Sequence, residues 1–505
     1  MTRLAIVTFL QRPRPIRLDT IKGVSSRLSA LDTSFLHLED RGAHMHIAAL
    51  LLFDGEAPPY EDVCRKISSR LDLAPRYRQR LAPVPYGQGR PCWVDDVHFN
   101  IHYHVRHTAL PAPGGERELQ DLCARLLSQR LDRNKPLWEM WLIEGLEDGG
   151  FALLSKSHHA LVDGVSSVDV GSLMLDVDPS IGVPPPAAGS HWQPKPPPTG
   201  LQLLADAWRE RSVVPSEIGR SVRMLTRRPR RTAAAVAGAA TSVASLVAGG
   251  LQPAPRSPLN VPIGPHRRYT WIDADLARLK AIKDAQGGTI NDVVLTTVAL
   301  GLGTWLRARG RRTDHLVLRA MVPVSVRSTD AHDGQGNQVA TMWVPLPVGI
   351  QDPLECYAAI REESAHIKHG GQALGAQRIT ELANFAPPTI LSQALRLQPR
   401  QRFVNLVVTN VPGPQVPLYM LGRPLRRVFP VVPLADQLAL GIAVVSYNGH
   451  MGFGLTGDYD ALPDLDEISG AMAAAIDDLS EAAGLPKSSK RFLRTSTPPA
   501  VPARR

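Results

Sequence analysis

One run, Phe151 to Asp169 (FALLSKSHHALVDGVSSVD), constrains this chain more than any other. Phe151 to Ser157 reads as a strand entered through the turn residues Glu147-Asp148-Gly149-Gly150. Gly164 to Leu175 reads as a helix, with Val165, Val168, Leu173 and Leu175 forming its apolar stripe. His158 and His159 therefore fall at a strand end, and Asp163 at a loop or helix start. Neighbouring side chains on a strand point to opposite faces, so the two histidines do not share one cavity while the strand persists. One suits a catalytic base and the other a packing role; neither suits a paired metal site. Asp163 also suits a helix cap, accepting from backbone N–H groups. His-His-x-x-x-Asp-Gly as a whole is expected by chance in roughly a few chains per thousand, judged from ordinary residue usage, which favours a function.

Composition matters mainly through where the charge lies. The 505 residues carry a formal net charge of +10. Residues 1–27 contribute +5 and residues 485–505 contribute +6, so the body between them is close to neutral. That argues against a nucleic-acid-binding face on the body, and no aromatic-rich basic motif suggests one. Cys64, Cys92, Cys123 and Cys356 match no zinc or redox spacing and read as reduced core thiols of a cytosolic protein. The short apolar run Leu4 to Leu10 lacks a cleavage site, so no signal peptide is expected.

The chain divides into an extension (1–26), an N-terminal domain with the histidine motif (27–180), a Pro-rich and basic helical linker (181–257), a C-terminal domain (258–484) and a basic tail (485–505). Strands are expected at His46 to Phe53, Trp138 to Leu146, Leu316 to Val326, Gln338 to Val348 and Phe403 to Val411. Helices are expected at Tyr60 to Leu71, Glu116 to Leu131, Gly287 to Arg309, Leu354 to Ile367, Ile379 to Leu395 and Pro463 to Ala483. Asn448-Gly449 signals a hairpin. Trp93 to His107 reads as extended, with His98, His102 and His104 at even spacing on one strand face, a solvated face being favoured over a metal site because no carboxylate or cysteine pattern accompanies them. Residues 201–231 carry net +5 over an apolar stripe of Leu201, Leu204, Ala207 and Trp208. Residues 232–251 are almost wholly small and apolar. This segment is where membrane contact is expected, the alternative being an inter-domain connector.

HHALVDG resembles the active-site motif of the bacterial wax ester synthase/acyl-CoA:diacylglycerol acyltransferase family, within the CoA-dependent acyltransferases. Peptide-synthetase condensation domains share that motif. The resemblance extends over about residues 28–483 through five stretches in the expected order. These are the opening Leu28 to Glu39, Pro136-Leu137-Trp138, the histidine motif, Asn291-Asp292 and Asn410 to Gly413. It implies an α/β fold of two related chloramphenicol-acetyltransferase-like domains with a tunnel between them.

The resemblance also implies roles. His159 is the general base and His158 supports the strand or tunnel wall. Asp163 pairs with an arginine to hold the loop, and Gly164 permits the tight turn. Pro136, Leu137 and Trp138 either lie near the acceptor pocket or form a Pro-started edge strand with a buried Trp. Asn291 and Asp292 either border the tunnel or cap their helix. Arg423, Arg426 and Arg427 suit CoA phosphates, or simply a solvated turn. The implied reaction moves a fatty acyl group from acyl-CoA, as substrate, to diacylglycerol or a long-chain alcohol. It needs no metal and no cofactor. It takes place at the inner membrane face or on lipid droplets, the protein being cytoplasmic and peripherally bound. A condensation-type enzyme acting on carrier-bound thioesters and a non-catalytic lipid-surface scaffold are the competing readings.

Overall fold

The computed structural model describes residues 27–39, 42–161, 174–184, 192–209, 253–326, 338–369 and 403–486. Asp163, Gly164, the helix expected from Gly164, the one expected at Ile379 to Leu395, both termini and most of 201–251 lie outside those residues.

The first half opens with helix α1 (Ala30–Leu38), capped by Ser29, whose hydroxyl accepts from Asp32 N–H. Strand β1 (His46–Phe53) follows, then helix α2 (Tyr60–Arg70) and the small hairpin β2 (Gln79–Ala82) and β3 (Cys92–Asp95). A one-turn helix α3 (Ile101–His104) leads into β4 (Val105–Ala109), and helix α4 (Glu116–Ser128) into β5 (Trp138–Glu144) and β6 (Phe151–His158). Residues 200–209 are helical (α5).

The second half contains β7 (Arg267–Asp275), α6 (Leu276–Gln286), α7 (Ile290–Ala308), β8 (Leu318–Val326), β9 (Gln338–Leu346) and α8 (Pro353–His369). It closes with β10 (Leu406–Pro412), β11 (Tyr419–Met420), β12 (Arg423–Val431), β13 (Leu440–Tyr447), β14 (His450–Asp458) and α9 (Leu465–Ala482). Asn448 and Gly449 both have positive φ, as a two-residue hairpin between β13 and β14 requires.

The expected extended run from Trp93 to His107 is corrected. Asp96 accepts from His98 N–H and Asn100 from His102 N–H, and such local side-chain bonds compete with a strand ladder. The chain turns there, and the three histidines do not share a face. His104 is buried and stacks on Trp138, whereas His98 and His102 are exposed. Trp138 is buried as expected, but β5 is not an edge strand, since β4 pairs beside it in parallel.

Among the described residues two six-stranded sheets result, ordered β11-β12-β1-β6-β5-β4 and β7-β14-β13-β10-β8-β9. Helices α6, α7, α8 and α9 pack a continuous apolar core against the second sheet. The first sheet is packed on both faces, one around Phe53, Phe151 and Trp138, the other around Leu50, Leu154 and α4. Its completion depends on the second half. Strand β12 runs antiparallel to β1, with Ala48 opposite Val431 and Leu51 opposite Val428. The hydrogen bonds of the first sheet therefore cross the linker that separates the two halves in sequence. Arg423, Arg426 and Arg427 lie on this strand rather than in a solvated turn.

Strand β12 also lies against the second sheet, and two glycines let it approach. A Cβ added to Gly452 would sit 2.0 Å from Val428 O, and one added to Gly454 1.8 Å from Pro430 O. Tyr269, buried on β7, donates its hydroxyl to Phe429 O at 3.1 Å. We expect Gly454→Ala to cost about 1–3 kcal/mol, because backbone rather than a flexible side chain must move. Gly470→Ala meets nothing within 4 Å on the exposed side of α9. It should stabilise by up to about 1 kcal/mol from helix propensity. Urea unfolding midpoints of the two variants, read with the m-value, check this contrast.

Candidate active site

Strand β6 ends at His158, and its backbone is tied at that point to both neighbouring strands. His158 N–H donates to Leu137 O at 2.9 Å, just ahead of β5. His46, the first residue of β1, stands opposite His158 in register. The chain then turns, with Leu161 N–H bonded to His158 O. This turn releases His159 from the strand alternation. Its own N–H donates to Met45 O at 2.7 Å, so its backbone is fixed to the segment entering β1.

The two imidazoles are held differently. His158 is buried, and its Nδ1 accepts from Ala160 N–H at 3.0 Å. Its neutral form therefore carries the proton on Nε2, which lies 3.8 Å from Glu39 Oε2. Burial pushes its pKa down to about 3, against the attraction of Glu39. His159 is half-buried and its ring lies against Phe35, 4.1 Å between centroids. Burial lowers its pKa too, and its own carbonyl opposes the shift. Its Nδ1 is buried without a hydrogen-bond partner among the described residues. Both rings are thus neutral near neutral pH.

The sequence reading missed the group behind them. Glu39, at the end of α1, lies 3.4 Å from His46 Nε2 and accepts from Arg133 Nε at 2.8 Å. Burial alone would raise its pKa. The contacts of His46 and Arg133, together with the charge of Arg133, outweigh burial and hold it at about 2. His44 and His46 are buried as well. Burial and Arg267 push His44 down to about 3, and burial also lowers His46. The signal was present in His44-Met45-His46 just before an apolar strand. Nothing in the sequence said which other residues they would meet.

The remaining predicted positions divide. Pro136, Leu137 and Trp138 are buried directly beside the β6 turn. Leu137 receives the His158 N–H, while Trp138 donates Nε1–H to Tyr77 O at 2.8 Å and stacks on His104. Asn291 and Asp292 stand at the start of α7 in the second half. Asp292 closes a capping box with Thr289, which accounts for one carboxylate oxygen; the other is buried without a hydrogen-bond partner among the described residues. Arg426 pairs with Asp54 and Asp148, and Arg427 with Asp273. They border a cavity of about 1320 Å³ at the Leu52 end of β1, away from His46 and His159. Seven carboxylates line it against Arg278, Arg426 and Arg427, so it is a poor place for the phosphates of CoA. Among the described residues, no cluster of histidine, cysteine and carboxylate ligands could hold a metal ion.

The architecture is that of the CoA-dependent acyltransferases with a chloramphenicol-acetyltransferase-like fold. The first condensation domain of the calcium-dependent antibiotic synthetase shares it at 16% identity and TM-score 0.55, covering 92% of this chain and 97% of that one. Residues 28–294 match the "Wax ester synthase/diacylglycerol acyltransferase catalytic domain" and residues 335–480 the "WS/DGAT C-terminal domain". The chain belongs to the wax ester synthase/diacylglycerol acyltransferase family. It is 35% identical to the "Probable diacyglycerol O-acyltransferase tgs1" of Mycobacterium tuberculosis (strain ATCC 25618 / H37Rv), covering 90% of this chain and 94% of that one. It is similar in structure to the wax ester synthase/diacylglycerol acyltransferase from Marinobacter aquaeolei VT8. That match has TM-score 0.66 and 28% identity, over 91% of this chain and 100% of the other.

The neutral buried histidines make stability depend on pH. A histidine whose folded pKa is depressed binds its proton in the unfolded chain first. Stability is therefore full above about 6.5 and falls as pH drops toward the folded values near 3 to 4. Each such imidazole costs up to about 1.4 kcal/mol per pH unit in that window. The urea midpoint should fall steeply between pH 7 and pH 5, and His104→Phe should flatten the slope.

Proposed function

We propose that the chain transfers a fatty acyl group from acyl-CoA to the free hydroxyl of diacylglycerol, and to long-chain alcohols, with His159 as general base. Family membership sets the reaction class. The observation that carries the mechanism is the placing of His159: half-buried just past the end of β6, with its backbone N–H fixed to Met45 O, where burial lowers its pKa and favours the neutral ring. A neutral imidazole takes the alcohol proton as the oxygen attacks the thioester carbonyl. Such catalysis is typically worth about 10²–10⁴-fold. The tetrahedral oxyanion collapses, the C–S bond breaks, and the proton passes from His159 to the leaving thiolate. A thiolate leaves readily, so the proposal includes no metal, cofactor or covalent intermediate.

His158 is assigned no base duty, a reading supported by its Nδ1 accepting from Ala160 N–H and its Nε2 facing Glu39. Its part is to hold the turn. Asp163 and Gly164 are assigned by their place in the motif, Asp163 to fixing the loop and Gly164 to the turn that follows. Pro136, Leu137 and Trp138 form the wall behind the histidines. Asn291 and Asp292 are assigned to substrate binding from the second half, and Asn291 to the oxyanion. The acceptor is a lipid, so the protein works at the cytoplasmic face of the inner membrane or on lipid droplets. No single helix among the described residues is long and apolar enough to cross a membrane. Residues 201–231, with net +5, supply peripheral attraction to anionic lipid.

His159→Ala should reduce palmitoyl transfer to diolein by at least about 10²-fold, with the fold intact by circular dichroism. The wild-type profile of kcat/KM should lose activity only below pH 6.5, following the lowered pKa. His158→Ala should act mainly on the unfolding midpoint; the reverse ranking of the two variants would reassign the base. Mixing with labelled palmitoyl-CoA alone should leave no acyl group on the protein after denaturation. A trapped acyl-protein would establish a two-step route instead.

A further inference from the structure

His104 ends α3, immediately before β4, and is only 1% exposed. Its ring stacks on Phe99, 5.2 Å away at 14°, and on Trp138, 4.6 Å away at 15°. Its Nδ1 lies 2.8 Å from Trp138 O. A carbonyl oxygen only accepts, so Nδ1 carries the proton and donates. That bond fills a gap in the first sheet. His158 N–H bonds Leu137 O and Ser157 stands opposite Trp138, so the Trp138 C=O points away from β6, toward β4. On that side the ladder begins only at Val105 and Met140. The chain ahead of Val105 is wound into α3, whose start is held by Asn100 accepting from His102 N–H. The His104 imidazole therefore donates where a strand N–H would otherwise have done so.

We propose that His104 is a positioning residue for acyl transfer: through Trp138 and Leu137 it sets the turn that presents His159. The route is short. Leu137 and Trp138 are consecutive, and their carbonyls point to opposite sides of the chain. One is held by His104, and the other holds His158 N–H. From His158 the turn follows, with Ala160 N–H on His158 Nδ1, Leu161 N–H on His158 O and His159 N–H on Met45 O. Trp138 also donates Nε1–H to Tyr77 O, but that bond holds its ring, whereas the bond from His104 holds its backbone. Without the donor a buried carbonyl is left unpaired, and the start of β5 shifts to repair the loss. A misplacement of about 1 Å at a catalytic group can cost about 10²-fold in rate. The inference rests on His159 as the base and names the side chain that holds its support in place.

The test compares three variants of the full-length protein. His104→Asn places an amide nitrogen where Nδ1 stood, and so keeps the donor without the ring. His104→Phe keeps the ring without the donor. His104→Gln keeps a donor but carries it one bond too far, and it stands in if the Phe variant does not fold. In palmitoyl transfer the Asn variant should keep kcat within about threefold of wild type, whereas the Phe and Gln variants should lose about tenfold or more. That loss should be equal on diolein and hexadecanol, with KM for palmitoyl-CoA unchanged. Hydrogen exchange across residues 151–161, measured without substrate, should quicken in the Phe and Gln variants but not in the Asn variant. Wild-type kcat in the Phe and Gln variants overturns the inference. So does a loss that follows the unfolding midpoints of all three variants, or one seen only as a raised KM for the acceptor. Transfer that survives in His159→Ala would instead sink the base assignment, and the exchange measurement decides the role of His104 independently of it.

Discussion

The backbone pairing of β12 with β1 is the constraint on which the rest of the molecule depends. Without β12, the strand that begins at His46 would be a sheet edge with unpaired N–H and C=O groups. With it, the first sheet is completed by a strand that also lies against the second. The two halves are thus joined by a hydrogen-bond ladder and by close backbone contact at Gly452 and Gly454. The position of β1 fixes Met45 and His46, and these in turn fix the turn that carries His159.

Burial then sets the chemistry. Four histidines and one glutamate converge where α1, β1 and β6 meet. Taking them out of water disfavours charged imidazole, so His44, His46, His158 and His159 all move toward the neutral form. Glu39 keeps its charge because Arg133 and the contact of His46 stabilise it more than burial opposes it. One anion and one guanidinium therefore anchor a group of otherwise uncharged rings. The same burial that makes a histidine a ready base makes this junction sensitive to acid.

The charges on β12 illustrate a second use of the same physics. Three arginines close together in sequence suit a phosphate site. In the fold, Arg426 and Arg427 meet Asp54, Asp148 and Asp273, carboxylates from three separate segments. Their field is cancelled locally, and the cavity they border is acidic. Proximity in sequence gave the positive charges, and tertiary contacts supplied the negative ones.

The sequence alone determined the strand at His46 to Phe53, the strand–turn at the histidine pair, the hairpin at Asn448-Gly449 and the helix that starts near Asn291. Each is local: alternation, positive-φ turn residues and capping chemistry act within a few residues. The resemblance of the motif to that of its family, rather than the spacing, made His159 the candidate base. The run from Trp93 to His107 was misread because Asp96 and Asn100 bond their own backbone, and alternation carries no trace of that. The crossing of β12, the inner place of β5 and the gathering of Glu39 and His46 around His158 were decided only by the tertiary structure. They join residues tens to hundreds of positions apart, and no local preference of one segment specifies the partner that will cover it.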